Sequence, residues 1–241
     1  MNEKIINILY LYPRDMNIYG DGGNVLTIKR RLEWYGFIPN VIEYNPGDDF
    51  PVDADIIIGG GGQDSGQQKI QTDLHQIAPF LQELASLGTP MLVICGLYQL
   101  FGKFFKTSSG EIIKGIGIFD IETYAKSERL IGNITSYSEQ FGEMIGYENH
   151  SGQTFLGKNM TALGRVRIGA GNNNEDDSEG ARYKNVIGSY MHGSFLPKNP
   201  QVADFLIQTA VTKKYAMIID STIINNSICD QARKIALKRP R

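Results

Sequence analysis

Short apolar runs alternate with stretches of helical periodicity over the first hundred residues, and this alternation limits the fold more than any other feature. Residues 5–11, 38–44, 54–58 and 91–94 are strand-length and rich in Ile, Val and Leu. Residues 24–35 carry Val25, Ile28, Leu32 and Tyr35 on one helical face and stop at Gly36. Residues 67–87 are helical in pattern, interrupted by Pro79, and stop at Gly88. Pro39 marks the second run as a sheet edge. Strand and helix in turn predict an α/β fold with a doubly wound, mostly parallel sheet and helices on both faces. Sites in such sheets lie at the carboxyl ends of the strands. The polar loop 12–23, the glycines 59–62 and Cys95 all follow strands, so one rim is expected to gather them.

The pattern changes near Lys106. Residues 112–123, 130–136, 143–148 and 163–169 read as short strands separated by glycines, expected to form antiparallel pairs that extend the sheet or add a layer. Residues 169–180 (GAGNNNEDDSEG) lack the ligand spacing of a calcium loop and read as a solvated turn. Residues 186–191 read as a strand with His192 at its end, 201–215 as a helix and 221–238 as a last helix. No repeat or low-complexity linker divides the chain, so residues 1–241 are expected to form one domain.

The formal charge of −2 gives no electrostatic case for nucleic acid or an anionic membrane, although residues 238–241 (KRPR) read as a basic solvated tail. No apolar run approaches a membrane span and the first residues lack a signal peptide's apolar core, so a cytoplasmic protein is expected. Cys95 and Cys229 match no zinc spacing, and with three histidines no metal site is expected.

Cys95 carries the chemistry. It stands between the apolar run Met91-Leu92-Val93-Ile94 and a helical pattern through Leu97, Leu100 and Phe101. A strand-to-helix turn exposes a nucleophile, and a helix N-terminus favours a thiolate and a developing oxyanion. The competing reading is a strand-end cysteine packed as a small hydrophobe. A nucleophilic cysteine needs a base. His75 lies in a polar helical stretch, and His150 sits before Ser151-Gly152 on what reads as a turn. His192 ends a buried strand as Cys95 does, which makes it the best base. The glycines 59–62 fit neither a dinucleotide nor a P-loop pattern and instead suit a close backbone approach to ligand. Asp64 and Ser65 read as helix caps.

GGGQD (60–64), ICGLYQLFG (94–102), YENHSGQT (147–154) and YMHG (190–193), in that order, resemble the class I glutamine amidotransferases of the cobyric acid synthase branch. With LYPRDMNIYGDGGN (11–24) they resemble, within it, the glutaminase subunits of lipid II isoglutaminyl synthases. The resemblance implies that Cys95 attacks the glutamine amide and His192 moves its proton. It also implies that Gly61 in the glycine loop helps hold the oxyanion, that Arg129 grips the α-carboxylate, and that Gln99 lines the pocket. It implies no cofactor here. ATP and Mg would belong to a Mur-ligase-like partner, MurT, which would amidate lipid II at the inner face of the membrane. Two departures stand out. Ser194 occupies the place where many relatives carry the glutamate that orients the histidine, so either the enzyme works as a Cys/His dyad or an acid comes from elsewhere, and the expectation is that the partner subunit supplies it on docking. Gln153 replaces a frequent arginine. The amidotransferase part of a cobyric-acid-type synthase, a free-standing glutaminase, a stress-type Cys/His protein of related fold and a non-catalytic module with a structural cysteine are the alternatives.

Overall fold

The computed structural model describes residues 3–239. Its elements run β1 (Ile5–Leu11), α1 (Gly22–Trp34), β2 (Ile38–Tyr44), β3 (Ile56–Gly59), α2 (Asp64–Ser86), β4 (Met91–Ile94) and α3 (Gly96–Leu100). Then follow β5 (Phe104–Lys106), β6 (Ile112–Lys114), β7 (Ile121–Ser138), β8 (Gly142–Leu156), β9 (Gly164–Ile168), β10 (Ser178–Glu179), β11 (Ala181–Tyr183) and β12 (Val186–Ser189). The chain closes with α4 (Phe195–Lys198), α5 (Pro200–Tyr215) and α6 (Ser227–Ala236).

The first sheet has six strands in the order β11-β12-β4-β3-β1-β2, parallel except for the β11–β12 pair. β3, β4 and β12 are buried at every residue, as the interior of a parallel sheet covered on both faces requires. Pro39 lies on edge strand β2, where a missing N–H costs no ladder bond. Leu11 pairs with Gly59, Gly59 with Val93, and Ile94 with Ser189. The four carboxyl ends are therefore level, and the segments leaving them meet on one rim.

The second sheet, also of six strands, is built on the antiparallel β7–β8 hairpin. The short strands expected over 130–136 and 143–148 are parts of these two long ones. The glycines inside them mark close contacts, not breaks. A Cβ on Gly146 would stand 2.5 Å from Met191 and one on Gly152 2.4 Å from Gln99. Residues 126–129 bulge from the ladder between Ala125 and Leu130. Tyr147 of β8 exchanges backbone hydrogen bonds with His192, which ties the second sheet to the first (2.8 and 3.3 Å). Core residues of both sheets, such as Ile94 and Ile121, belong to one buried cluster.

Three further expectations change. α2 runs through Pro79 unbroken, because Pro79 and His75, the residue whose carbonyl loses its partner, both face solvent. The polar loop 169–180 is not solvated throughout: Asn172 and Asn173 are fully buried, and the Asn172 amide donates to Gly180 O while its carbonyl accepts from Gly180 N. The last helix splits into a 3₁₀ turn at Ser221–Ile223 and α6. Of the basic end, Lys238 and Arg239 are exposed, and Pro240 and Arg241 lie outside the described residues. Among the described residues no helix is long and apolar enough to cross a membrane.

Candidate active site

Cys95 stands between β4 and α3 with φ 49° and ψ −104°, a conformation that costs a non-glycine residue roughly 1–3 kcal/mol. The rim is packed tightly enough to hold it there. A Cβ on Gly59 would meet Leu97 at 2.4 Å, one on Gly60 would meet Met16 O at 2.3 Å, and one on Gly62 would meet Met16 S at 2.4 Å. The glycine run thus answers a demand for space around the elbow. The side chain of Cys95 is only 7% exposed. It opens on a cavity of about 320 Å³, walled by the loops 18–19 and 62–65, the elbow, Phe105 and the hairpin residues Arg129 and 149–152.

His192 lies beside Cys95, near enough for the thiol's charge to act on the imidazole. Gly61 separates the two: a Cβ there would be 2.7 Å from His192 Cε1 and 3.1 Å from Cys95 Cβ. On its far side His192 meets an acid that the sequence reading did not single out. Asp21 Oδ2 is 3.4 Å from His192 Nδ1, and both side chains are 1% exposed. At this separation the two form an ion pair at the long end of hydrogen-bond range, as catalytic pairs often do before substrate binds. Burial opposes charge on His192, but Cys95 and Asp21 outweigh it and lift its pKa to about 10. The imidazole therefore carries its proton at neutral pH.

Asp21 occupies the N-cap position of α1, yet its side chain makes no capping bond. It accepts from Gly61 N at 2.7 Å instead. That bond corrects the expectation for Gly61, whose N–H is given to Asp21 and not to the cavity. Gly62, which does line the cavity, brings its N–H to the elbow: a Cβ on Gly96 would sit 3.0 Å from Gly62 N. Ser194, at the place of the usual glutamate, has φ 50° and donates from Oγ to Gly20 O at 2.8 Å. It clips the loop that bears Asp21. A buried carboxylate, Asp21, thus stands beside His192 within this chain.

Gln99 lines the cavity floor with both ends of its amide engaged. Its Oε1 accepts from Gln67 Nε2 (2.6 Å) and its Nε2 donates to Tyr190 Oη (3.0 Å). Arg129 reaches the cavity from the β7 bulge; its Nε donates to Asn149 Oδ1 (2.6 Å) and its Nη2 to Tyr19 Oη (3.3 Å). Gln153 is buried in β8, opposite Tyr124. His150 is not on a turn. It lies within β8, stacked on Tyr190 at 3.6 Å, its Nδ1 2.6 Å from Gly152 O. Burial pushes its pKa down to about 3, so it is neutral and unsuited to be the base. His75 is exposed, its Nε2 3.1 Å from Lys114 O. Asp64 and Ser65 cap nothing: Gln63 is the N-cap of α2, and both residues line the cavity.

The sequence profile of the CobB/CobQ-like glutamine amidotransferase domain matches residues 7–200. The chain is 36% identical over 235 residues to subunit GatD of the glutamine-hydrolyzing lipid II isoglutaminyl synthase of Staphylococcus aureus, covering 97% of this chain and 96% of that protein. Identity to the Streptococcus pneumoniae subunit of the same name is 40% over 217 residues, 89% of this chain and 84% of that one. A probable cobyric acid synthase of Methanothermobacter thermautotrophicus is 34% identical over 158 residues, 59% of this chain but 31% of that protein. Among solved structures, a glutamine amidotransferase from Thermotoga maritima shares the fold with a TM-score of 0.54 at 14% identity, over 96% of this chain and 93% of that one.

Proposed function

Because the chain belongs to the CobB/CobQ-like glutamine amidotransferase family, as a glutamine-hydrolysing subunit of an amide ligase, we propose that it is the glutaminase of a lipid II isoglutaminyl synthase. One observation carries the chemistry: a buried line of Asp21, His192 and Cys95 opens on a cavity that also presents an arginine. Likeness over nearly the full length to two subunits of that name supports the acceptor.

Glutamine enters with its α-carboxylate toward Arg129, since a guanidinium offers paired donors to a carboxylate. Cys95 Sγ attacks the side-chain amide carbon while His192 holds the thiol's proton. The N–H of Gly62 and the first free N–H groups of α3 face the negative charge that develops on the amide oxygen. Collapse of the tetrahedral intermediate breaks the C–N bond. His192 gives its proton to the leaving nitrogen, and ammonia departs from a thioester. Water, deprotonated by His192, then attacks the thioester and releases glutamate, returning the proton to the Cys95–His192 pair. Asp21 holds the imidazole in one tautomer and stabilises its charged form throughout.

Free ammonia needs an acceptor. In this reading a Mur-ligase-like subunit of the MurT type binds ATP and Mg, activates the α-carboxyl of the D-glutamate in the lipid II stem peptide, and receives the ammonia. The test is glutamate release by wild type and Cys95→Ala, each with and without that ligase subunit, followed by ATP-dependent amidation of lipid II. Cys95-dependent glutamate release together with amidated lipid II is the expected result. Glutamate release with no amidation refutes the acceptor alone. Undiminished release from Cys95→Ala refutes the mechanism.

A further inference from the structure

Arg129 is a cation in need of an anion. Both groups it touches in the cavity, Asn149 Oδ1 and Tyr19 Oη, are neutral, and among the described residues it has no carboxylate partner within ion-pair distance. The bond to Tyr19 runs from the guanidinium to the phenol oxygen, so the Tyr19 O–H proton is left to donate. Among the described residues it has no acceptor. The same ring stands edge-on to His192, with centroids 4.6 Å apart and planes at 67°. Tyr19 therefore touches the anion-binding group with its hydroxyl and covers the catalytic base with its ring.

We propose that Tyr19 is a substrate-binding and specificity-determining residue: its hydroxyl donates to the α-carboxylate of glutamine beside Arg129. The proposal rests on the glutaminase reading above. An anion drawn to Arg129 meets a neutral O–H already held at the guanidinium, and one carboxylate oxygen can take both donors. Hydrogen bonds to charged groups are the stronger class, so losing this one costs about tenfold or more in binding. The loop is held in position for the task. Ile18 N donates to Gly61 O (3.1 Å), Gly22 N to Asn17 Oδ1 (2.8 Å), and Ser194 Oγ clips Gly20 O (2.8 Å). Tyr19 thus selects for the amino-acid end of the substrate, and an amide lacking the carboxylate gains nothing from it.

Tyr19→Phe keeps the ring over His192 and removes only the hydroxyl. Steady-state glutamate release by the full chain with its ligase subunit is measured against glutamine concentration. The expected result is a KM about tenfold higher with kcat within about twofold of wild type. A general loosening of the loop would instead lower kcat, because Asp21 lies two residues on. An unchanged KM, or a fall in kcat that matches the rise in KM, overturns the inference while leaving the glutaminase reading intact. No glutamate from wild type with its ligase subunit overturns both.

Discussion

Replacing Asp21 with Asn isolates the acid. The side chain keeps its size, and an amide oxygen can still accept from Gly61 N, which Asp21 holds at 2.7 Å. The charge 3.4 Å from His192 Nδ1 is lost. Two unit charges at that separation, with an effective dielectric constant near 20, attract by about 5 kcal/mol. This is an upper bound of roughly three to four pKa units. His192, lifted to about 10, should therefore fall toward its ordinary value near 6.5. The stabilisation tied to its charge is complete below about 6.5 and is lost as pH rises through about 10. In the variant that window narrows from its upper end. The amide oxygen, held in the place of Oδ2 by Gly61 N, still faces Nδ1 but without a negative charge to stabilise the imidazolium. We expect kcat for glutamate release at pH 8 to fall at least about a hundredfold, and an NMR titration of His192 to move down by one unit or more. A folded Asp21→Asn protein within threefold of wild-type kcat, with an unchanged His192 titration, would refute the assignment.

Two other predictions concern stability. His150, ordinarily near 6.5 and held at about 3, contributes stability that is present above 6.5 and lost as pH falls toward 3. His150→Phe, which keeps the stack on Tyr190, should flatten the fall in denaturant midpoint between pH 7 and 4; equal slopes in the two proteins would count against it. Glu179, pushed up to about 7 first by burial, with Glu148 adding to it, tilts the other way between about 4.5 and 7 and is common to both. Arg31, whose side chain is 5% exposed, makes two bonds of 2.6–2.7 Å to Asp204. Arg31→Met leaves that carboxylate and the Tyr35 hydroxyl bound to it without their cation, and should cost about 3–5 kcal/mol in chemical denaturation. A loss under about 1 kcal/mol would show that water replaces the guanidinium.

The first sheet was legible because parallel strands buried on both faces have to be continuously apolar, and 91–94 ends where the run ends. The elbow followed from that strand and the helix after it. The second sheet was less legible, because glycine ordinarily signals a break. In β8 it signals crowding instead, with Met191 on Gly146 and Gln99 on Gly152. His150 read as a turn residue because Ser151-Gly152 follows it, although both belong to the strand. Asp21 was hidden by the local rule for its type: an aspartate before a helix reads as its cap. Only the tertiary position of His192, brought over α1 by the bridge to Tyr147, shows that the carboxylate faces elsewhere. Arg129 could be placed by resemblance alone, since the bulge that aims it has no signature in the residues 126–129.

Ser194 and Gly23 form a sterically matched pair. A Cβ at position 23 would stand 2.1 Å from Ser194 Oγ, so the loop can approach only where one position is glycine and the other small. A chain with glutamate at 194 has its acid downstream of the base and reads nucleophile, base, acid. In the proposed mechanism this chain reads acid, nucleophile, base. In this chain the close approach of Gly23 leaves no room for a longer side chain at 194 pointing the way Ser194 does.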